Sequence, residues 1–123
     1  MIEQDWAESF AQGWIAAWNA GDIERILAHY AEDFELASPL VIERMGIANG
    51  KLRGKDAVRP YWEIGLARSP PLHFVLLNVL VGVNALAIVY ESTTRGCVVV
   101  ERIEFDQQKR AIRAEVLYEP SLD

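Results

Sequence analysis

Between His73 and Tyr118 the chain holds four segments rich in β-branched and aromatic residues, parted only by short turns. They are His73–Gly82, Leu86–Thr94, Cys97–Asp106 and Ala111–Tyr118, and their composition predicts strands. The breaks at Val83-Asn84, at Arg95-Gly96 and from Asp106 to Lys109 suit hairpins. Connections this short make successive strands antiparallel, because a parallel pair needs a crossover of a dozen or more residues. A meander of this kind must cover one apolar face, and the cover lies upstream.

Trp6, Phe10, Gly13, Trp14, Ala17 and Trp18 recur at helical spacing and form one apolar face. Gly21 follows as a stop. Asp22 then predicts the cap of a second helix with Ile23, Ile26, Leu27 and Tyr30 turned inward. Phe34 to Ser38 reads as a short strand ended by Pro39, and Ile42 to Met45 as a short extended piece in a glycine-marked crossing loop. Lys55 or Asp56 opens a third helix running to about Ala67, with Pro60 in or near its first turn. Helices first and a meander after give an α+β class, with the helices packed against one face of a curved sheet. A curved sheet around helices forms a cone, and a cone has a mouth where a pocket is expected.

The 123 residues suit a single domain over 1–123, and an apolar share of 51% supports a core without disulfides or a metal. The one cysteine, Cys97, stands in the run CVVV and reads as a small buried hydrophobe. The start, MIEQDWAESF, has neither the basic residues nor the apolar run of a secretory leader. The longest apolar stretch, FVLLNVLVGVNALAIVY, is broken by asparagines and Gly82 and reads as two strands, so no membrane span is expected. A net charge of -6 repels a phosphate backbone, which argues against a nucleic-acid partner. The expected location is cytoplasmic.

Period-two alternation picks out one chemical group. Val99, Glu101, Ile103 and Phe105 share one face of their strand, and Val100, Arg102 and Glu104 share the other. The first face is apolar except for Glu101. A carboxylate there is costly unless paired or protonated, and burial raises its pKa toward that of a general acid or of a base near neutrality. The alternatives are a place at the mouth or an ion pair with Arg44, a loop residue that also suits an anionic ligand.

The string "WNAGD", then "HYAEDFELASP", "GKDAVRPYW" and "VVVERIEFD" resembles the nuclear transport factor 2-like superfamily over nearly the whole chain. Within it the sequence is most similar to the SnoaL-like group of polyketide cyclases, with ketosteroid isomerases as relatives. The resemblance implies a cystatin-like cone, three N-terminal helices packed in a curved mixed or antiparallel sheet. In the isomerases a helix-one tyrosine helps form an oxyanion hole, and that place here falls on Trp14. Their catalytic base falls on Ser38, which accepts no proton at neutral pH without an activating partner. Their second, protonated acid falls on Glu101. One acid of the set is therefore kept in kind.

Trp14, Trp18, Tyr61 and Trp62 lie on covering helices and serve either as core or as cavity wall. Tyr30, Ser38, Tyr90 and Tyr118 are further candidates to touch a ligand. His29 and His73 have no partner at ligand spacing, so no metal site is indicated. The expected function is a cofactor-independent isomerase, cyclase or dehydratase. It would act on a small apolar carbonyl or hydroxyl compound, with Glu101 moving a proton. The alternatives are a binding module using the same pocket, or an interaction protein. A homodimer through the outer sheet face is expected, with Val98, Val100 and residues of His73–Gly82 at the contact.

Overall fold

A computed structural model describes residues 1–120 of the chain. Its elements follow in the order α1 (Gln4–Asn19), α2 (Ile23–Leu27), β1 (Tyr30–Ala37), α3 (Pro39–Met45), β2 (Lys51–Arg53), α4 (Lys55–Leu66), β3 (Phe74–Val81), β4 (Ala85–Ser92), β5 (Cys97–Phe105) and β6 (Ala111–Tyr118). The six strands form one sheet in the order β2-β1-β6-β5-β4-β3. The meander β3 to β6 is antiparallel throughout, and β1 joins the free side of β6 in parallel. The sheet is therefore mixed, and the α+β class stands.

Helix α1 forms because Ala7, Ala11, Trp14, Ala17 and Trp18 return to one buried face. It packs on β3, while α4 packs on β1 and β2. Asp22 caps α2, its Oδ1 accepting from the Arg25 amide at 3.3 Å. That helix stops at Leu27 rather than reaching Tyr30. Tyr30 instead opens β1 opposite Ala111, so pairing with the sheet overrides a helical continuation.

The segment expected to be extended at Ile42–Met45 is helical, and the reason is local. Ser38 is an N-cap whose Oγ accepts from the Leu40 amide at 3.3 Å, and Pro39 sits at the start of the helix, where its missing N–H costs nothing. Gly46, in the left-handed region at φ 67°, closes the helix. Strand β2, absent from the sequence reading, is three residues long and pairs antiparallel with Glu35 to Ala37. Too few residues alternate there for a period to show. Pro60 lies inside α4, a turn later than expected.

The core is an aromatic cluster between α1, α4 and the inner sheet face. Trp14 lies 5.4 Å from Tyr90 and 6.0 Å from Phe74, measured between ring centroids, and Trp18 meets Trp62 edge-on at 5.2 Å. Trp14 Nε1 donates to the Tyr30 hydroxyl at 2.9 Å, tying α1 to β1 across the core. On the outer face Arg102 and Arg113 both reach Glu104. Val75, Leu77, Leu80 and Leu117 are exposed, and Val98 and Val100 are half-buried. No helix among the described residues is long and apolar enough to cross a membrane.

The Trp14–Tyr30 bond is a buried pair whose loss leaves a polar atom stranded. Trp14→Phe is expected to lower the unfolding free energy in urea by about 1–3 kcal/mol. Adding Tyr30→Phe should cost less than it does alone, giving a coupling of about 1 kcal/mol in the double-mutant cycle. Strict additivity would show that the bond contributes nothing.

Candidate functional site

Strand β5 fixes the site. Its inner face carries Val99, Glu101, Ile103 and Phe105, all buried, while Arg102 on the opposite face is exposed. Glu101 is 4% exposed. It stands opposite Ile88 of β4 and Val116 of β6, both apolar. Among the described residues it takes part in no ion pair. Burial alone pushes its carboxyl up to about 8, so the group is mostly protonated at neutral pH. The alternative, an ion pair with Arg44, is not formed. Arg44 is held elsewhere, its guanidinium 6.0 Å from the ring centroid of Tyr61 and beside Gly65, where a Cβ would come within 3.3 Å of Nη1.

Glu101 lines a cavity of about 60 Å³ between the inner sheet face and the helices. An apolar cavity of about 150 Å³ accepts benzene, so this one holds a few waters or a short acyl head rather than a fused ring system. Trp18, Tyr61 and Trp62 form the helix side, and Tyr90, Val99 and Tyr118 the sheet side. Arg44 and Arg95 border it as well. Leu40, Arg95 and Tyr118 also border a wider surface groove, which places the mouth at that end.

Seven of the sequence candidates thus meet at the cavity: Trp18, Arg44, Tyr61, Trp62, Tyr90, Glu101 and Tyr118. Three do not line it. Trp14 spends its one donor on Tyr30, and both lie behind the wall. Ser38 caps α3 and accepts from the Tyr61 hydroxyl at 3.4 Å, so its role is to hold a helix end and a tyrosine.

Two polar residues at the cavity, Ser92 and Arg95, were missed, and one candidate, Trp18, shares a feature with the first. Ser92 is 1% exposed and Trp18 is 7% exposed. Neither the Ser92 hydroxyl nor the Trp18 Nε1 has a hydrogen-bond partner among the described residues. Buried polar atoms are nearly always satisfied, so these two are exceptions, and both belong to residues that border the cavity. Ser92 was within reach of strand parity, since Leu86, Ile88 and Tyr90 precede it on the same face. Arg95 gave no such signal, because it sits in the turn after β4 and turns carry no alternation.

The four tyrosines all feel the charge of the acid. Burial raises the pKa of Tyr30, Tyr61, Tyr90 and Tyr118, and the Glu101 charge adds to the rise in each. They are therefore hydrogen-bonding hydroxyls at neutral pH and not bases. His29 is outside this group, packed edge-on to Phe10 with Nδ1 2.9 Å from the Arg25 carbonyl oxygen. No cluster of three or more His, Cys, Asp or Glu side chains among the described residues is placed to hold a metal ion.

The model of the SnoaL-like domain matches residues 11–118, and the chain belongs to that family. It is similar to a SnoaL-like protein of unknown function from Burkholderia thailandensis E264, at 39% identity and a TM-score of 0.92, covering 97% of this chain and 98% of that one. A proposed isomerase of the SnoaL-like family from Agrobacterium tumefaciens C58 shares the fold at 18% identity and a TM-score of 0.73, covering 95% of this chain and 100% of that one. A protein of unknown function with a cystatin-like fold from Methylobium petroleophilum PM1 does so at 14% identity and a TM-score of 0.73, covering 99% and 81%. No curated protein matches the sequence.

The state of Glu101 has a consequence for stability. In the unfolded chain the carboxyl titrates near 4.5, and in the fold near 8. Between those values the folded state holds the extra proton, so stability present below pH 4.5 is lost as pH rises and levels off above 8. Urea unfolding of the wild type should show this fall, on the order of several kcal/mol. Glu101→Gln, which cannot ionise, should remove most of it. An unchanged pH profile in the variant would place the titration elsewhere.

Proposed function

We propose that the protein is an enzyme that moves a proton on a small carbonyl or hydroxyl compound, with Glu101 as the acid–base group and no cofactor. The supporting observation is a single one: a carboxyl group, buried without a counter-charge, forms part of the wall of a cavity. A structural carboxylate in such a place is normally paired. One left alone is protonated and ready to donate.

The chemistry follows from the count of groups. Among the described residues Glu101 is the one carboxyl group with a raised pKa, and the Trp18 N–H and the Ser92 hydroxyl are without partners. Ser92 stands two rows, about 13 Å, from Glu101, so Glu101 is the group that meets the reacting oxygen and Ser92 serves a polar atom nearer the mouth. A carboxyl that gives its proton to that oxygen becomes a carboxylate, able to take a proton from the adjacent carbon. One group then serves both halves of an isomerisation or of the loss of water, and no second base is required. The resemblance to isomerases and cyclases agrees with this class of reaction, and the small cavity restricts the reacting part to a short acyl segment.

The test is turnover of a panel of short ketones and hydroxy compounds by wild type and Glu101→Gln. The variant should lose about 10²–10⁴-fold in rate while keeping its affinity. The wild-type rate should fall as pH rises past about 8, where the proton to be donated is gone. Equal rates in both proteins would remove Glu101 from the chemistry. Binding with no turnover of any compound would favour a carrier.

A further inference from the structure

We propose that the ligand of this cavity is a short oxo- or hydroxycarboxylic acid, whose carboxylate binds between Arg44 and Arg95 at the mouth while its second oxygen reaches Glu101. The proposal rests on the reading of Glu101 as the group that meets the substrate oxygen, and it adds the class of substrate.

The first observation is the pair of cations. Arg44 comes from the last turn of α3 and Arg95 from the turn between β4 and β5, and both border the same cavity. Each guanidinium lies near a wall tyrosine. Arg44 Cζ is 6.0 Å from the Tyr61 ring centroid, and Arg95 Cζ is 5.4 Å from that of Tyr118. Neither arginine is within ion-pair distance of a carboxylate among the described residues. The nearby acids are otherwise placed. Glu119 accepts from the Val98 amide through Oε1, and Glu43 is exposed on the groove. Gly65 leaves open the space that the Arg44 guanidinium occupies. Two arginines flanking one opening in a chain of net charge -6 form a local site for an anion.

The second observation is a pair of unpartnered groups in residues of the cavity wall. Ser92 and Trp18, both bordering the cavity, are more than nine-tenths buried, and their polar atoms have no partner among the described residues. A purely apolar ligand would leave them stranded, at a cost of about 1–3 kcal/mol each. A ligand with a carboxylate at the mouth brings an acceptor to the Ser92 row.

Sheet register gives the length. Across the inner face the rows run Ile88–Glu101–Val116, then Tyr90–Val99–Tyr118, then Ser92–Cys97 nearest the mouth. Successive rows on one face are about 7 Å apart. Arg95 folds over Tyr118, one row from Glu101. The anion subsite and Glu101 therefore serve neighbouring rows, and the long side chains at both ends let a short acid with its second oxygen on the fourth or fifth carbon span them. A protonated Glu101 adds no repulsion against such an anion.

Titration of tryptophan fluorescence with 4-oxopentanoate and with its uncharged isostere 4-oxopentanamide tests this. The carboxylate should bind at least ten-fold more tightly at low salt, and the advantage should shrink at high salt. Arg44→Gln and Arg95→Gln, both near the surface and checked by circular dichroism, should each weaken the carboxylate ten-fold or more. The amide should change less than two-fold. Equal binding of the two compounds, no binding of either, or indifference of both variants would overturn the proposal. Glu101→Gln separates the two readings. If that variant keeps full activity while the arginine variants lose the carboxylate, the anion site stands and the acid–base role falls.

Discussion

The cost of ionising a carboxyl group away from water governs what this site is. Glu101 sits between two apolar neighbours on adjacent strands and has no cation to offset its charge. Desolvation disfavours the carboxylate, so the proton stays on to about pH 8. That one constraint connects the fold to its use. A sheet whose inner face must be apolar for the helices to pack on it holds an acid in its neutral form, facing a hollow. Wall tyrosines and a half-buried arginine complete a gradient, from proton donors inside to cations at the mouth.

The scaffold keeps that arrangement rigid by joining each wall to its neighbour. Trp14 and Tyr30 join α1 to β1, and Ser38 joins the start of α3 to Tyr61 of α4. These residues stand one layer behind the cavity and hold the residues in front of them. Trp14 and Ser38 thus serve as ties between elements. In this chain both side chains are committed to the frame.

Much of this was legible in the sequence because it depends on period. Four strands, their antiparallel run, the buried face of α1 and the inward turn of Glu101 all follow from residues recurring at two or at 3.6. What was illegible has no period. The helix at Pro39 depended on a serine cap and a proline start, a signal overlooked because the same proline also ends a strand. Strand β2 is too short to alternate. Arg95 reaches the cavity from a turn, where sequence speaks about backbone shape and not about side-chain direction. The absence of an Arg44–Glu101 pair is a matter of where a long side chain folds, and that is set by Tyr61 and Gly65 rather than by any local motif.

The central claim is that a neutral acid faces the hollow, and its titration can be watched directly. With the side-chain carboxyl carbons of glutamate labelled with ¹³C, and Glu101→Gln used to assign the signal, the shift of Glu101 can be followed from pH 4 to pH 10. A midpoint about 8 is the predicted result. A midpoint near the ordinary 4.5 would mean that water or a cation reaches the group, and the acid–base account would fail with it.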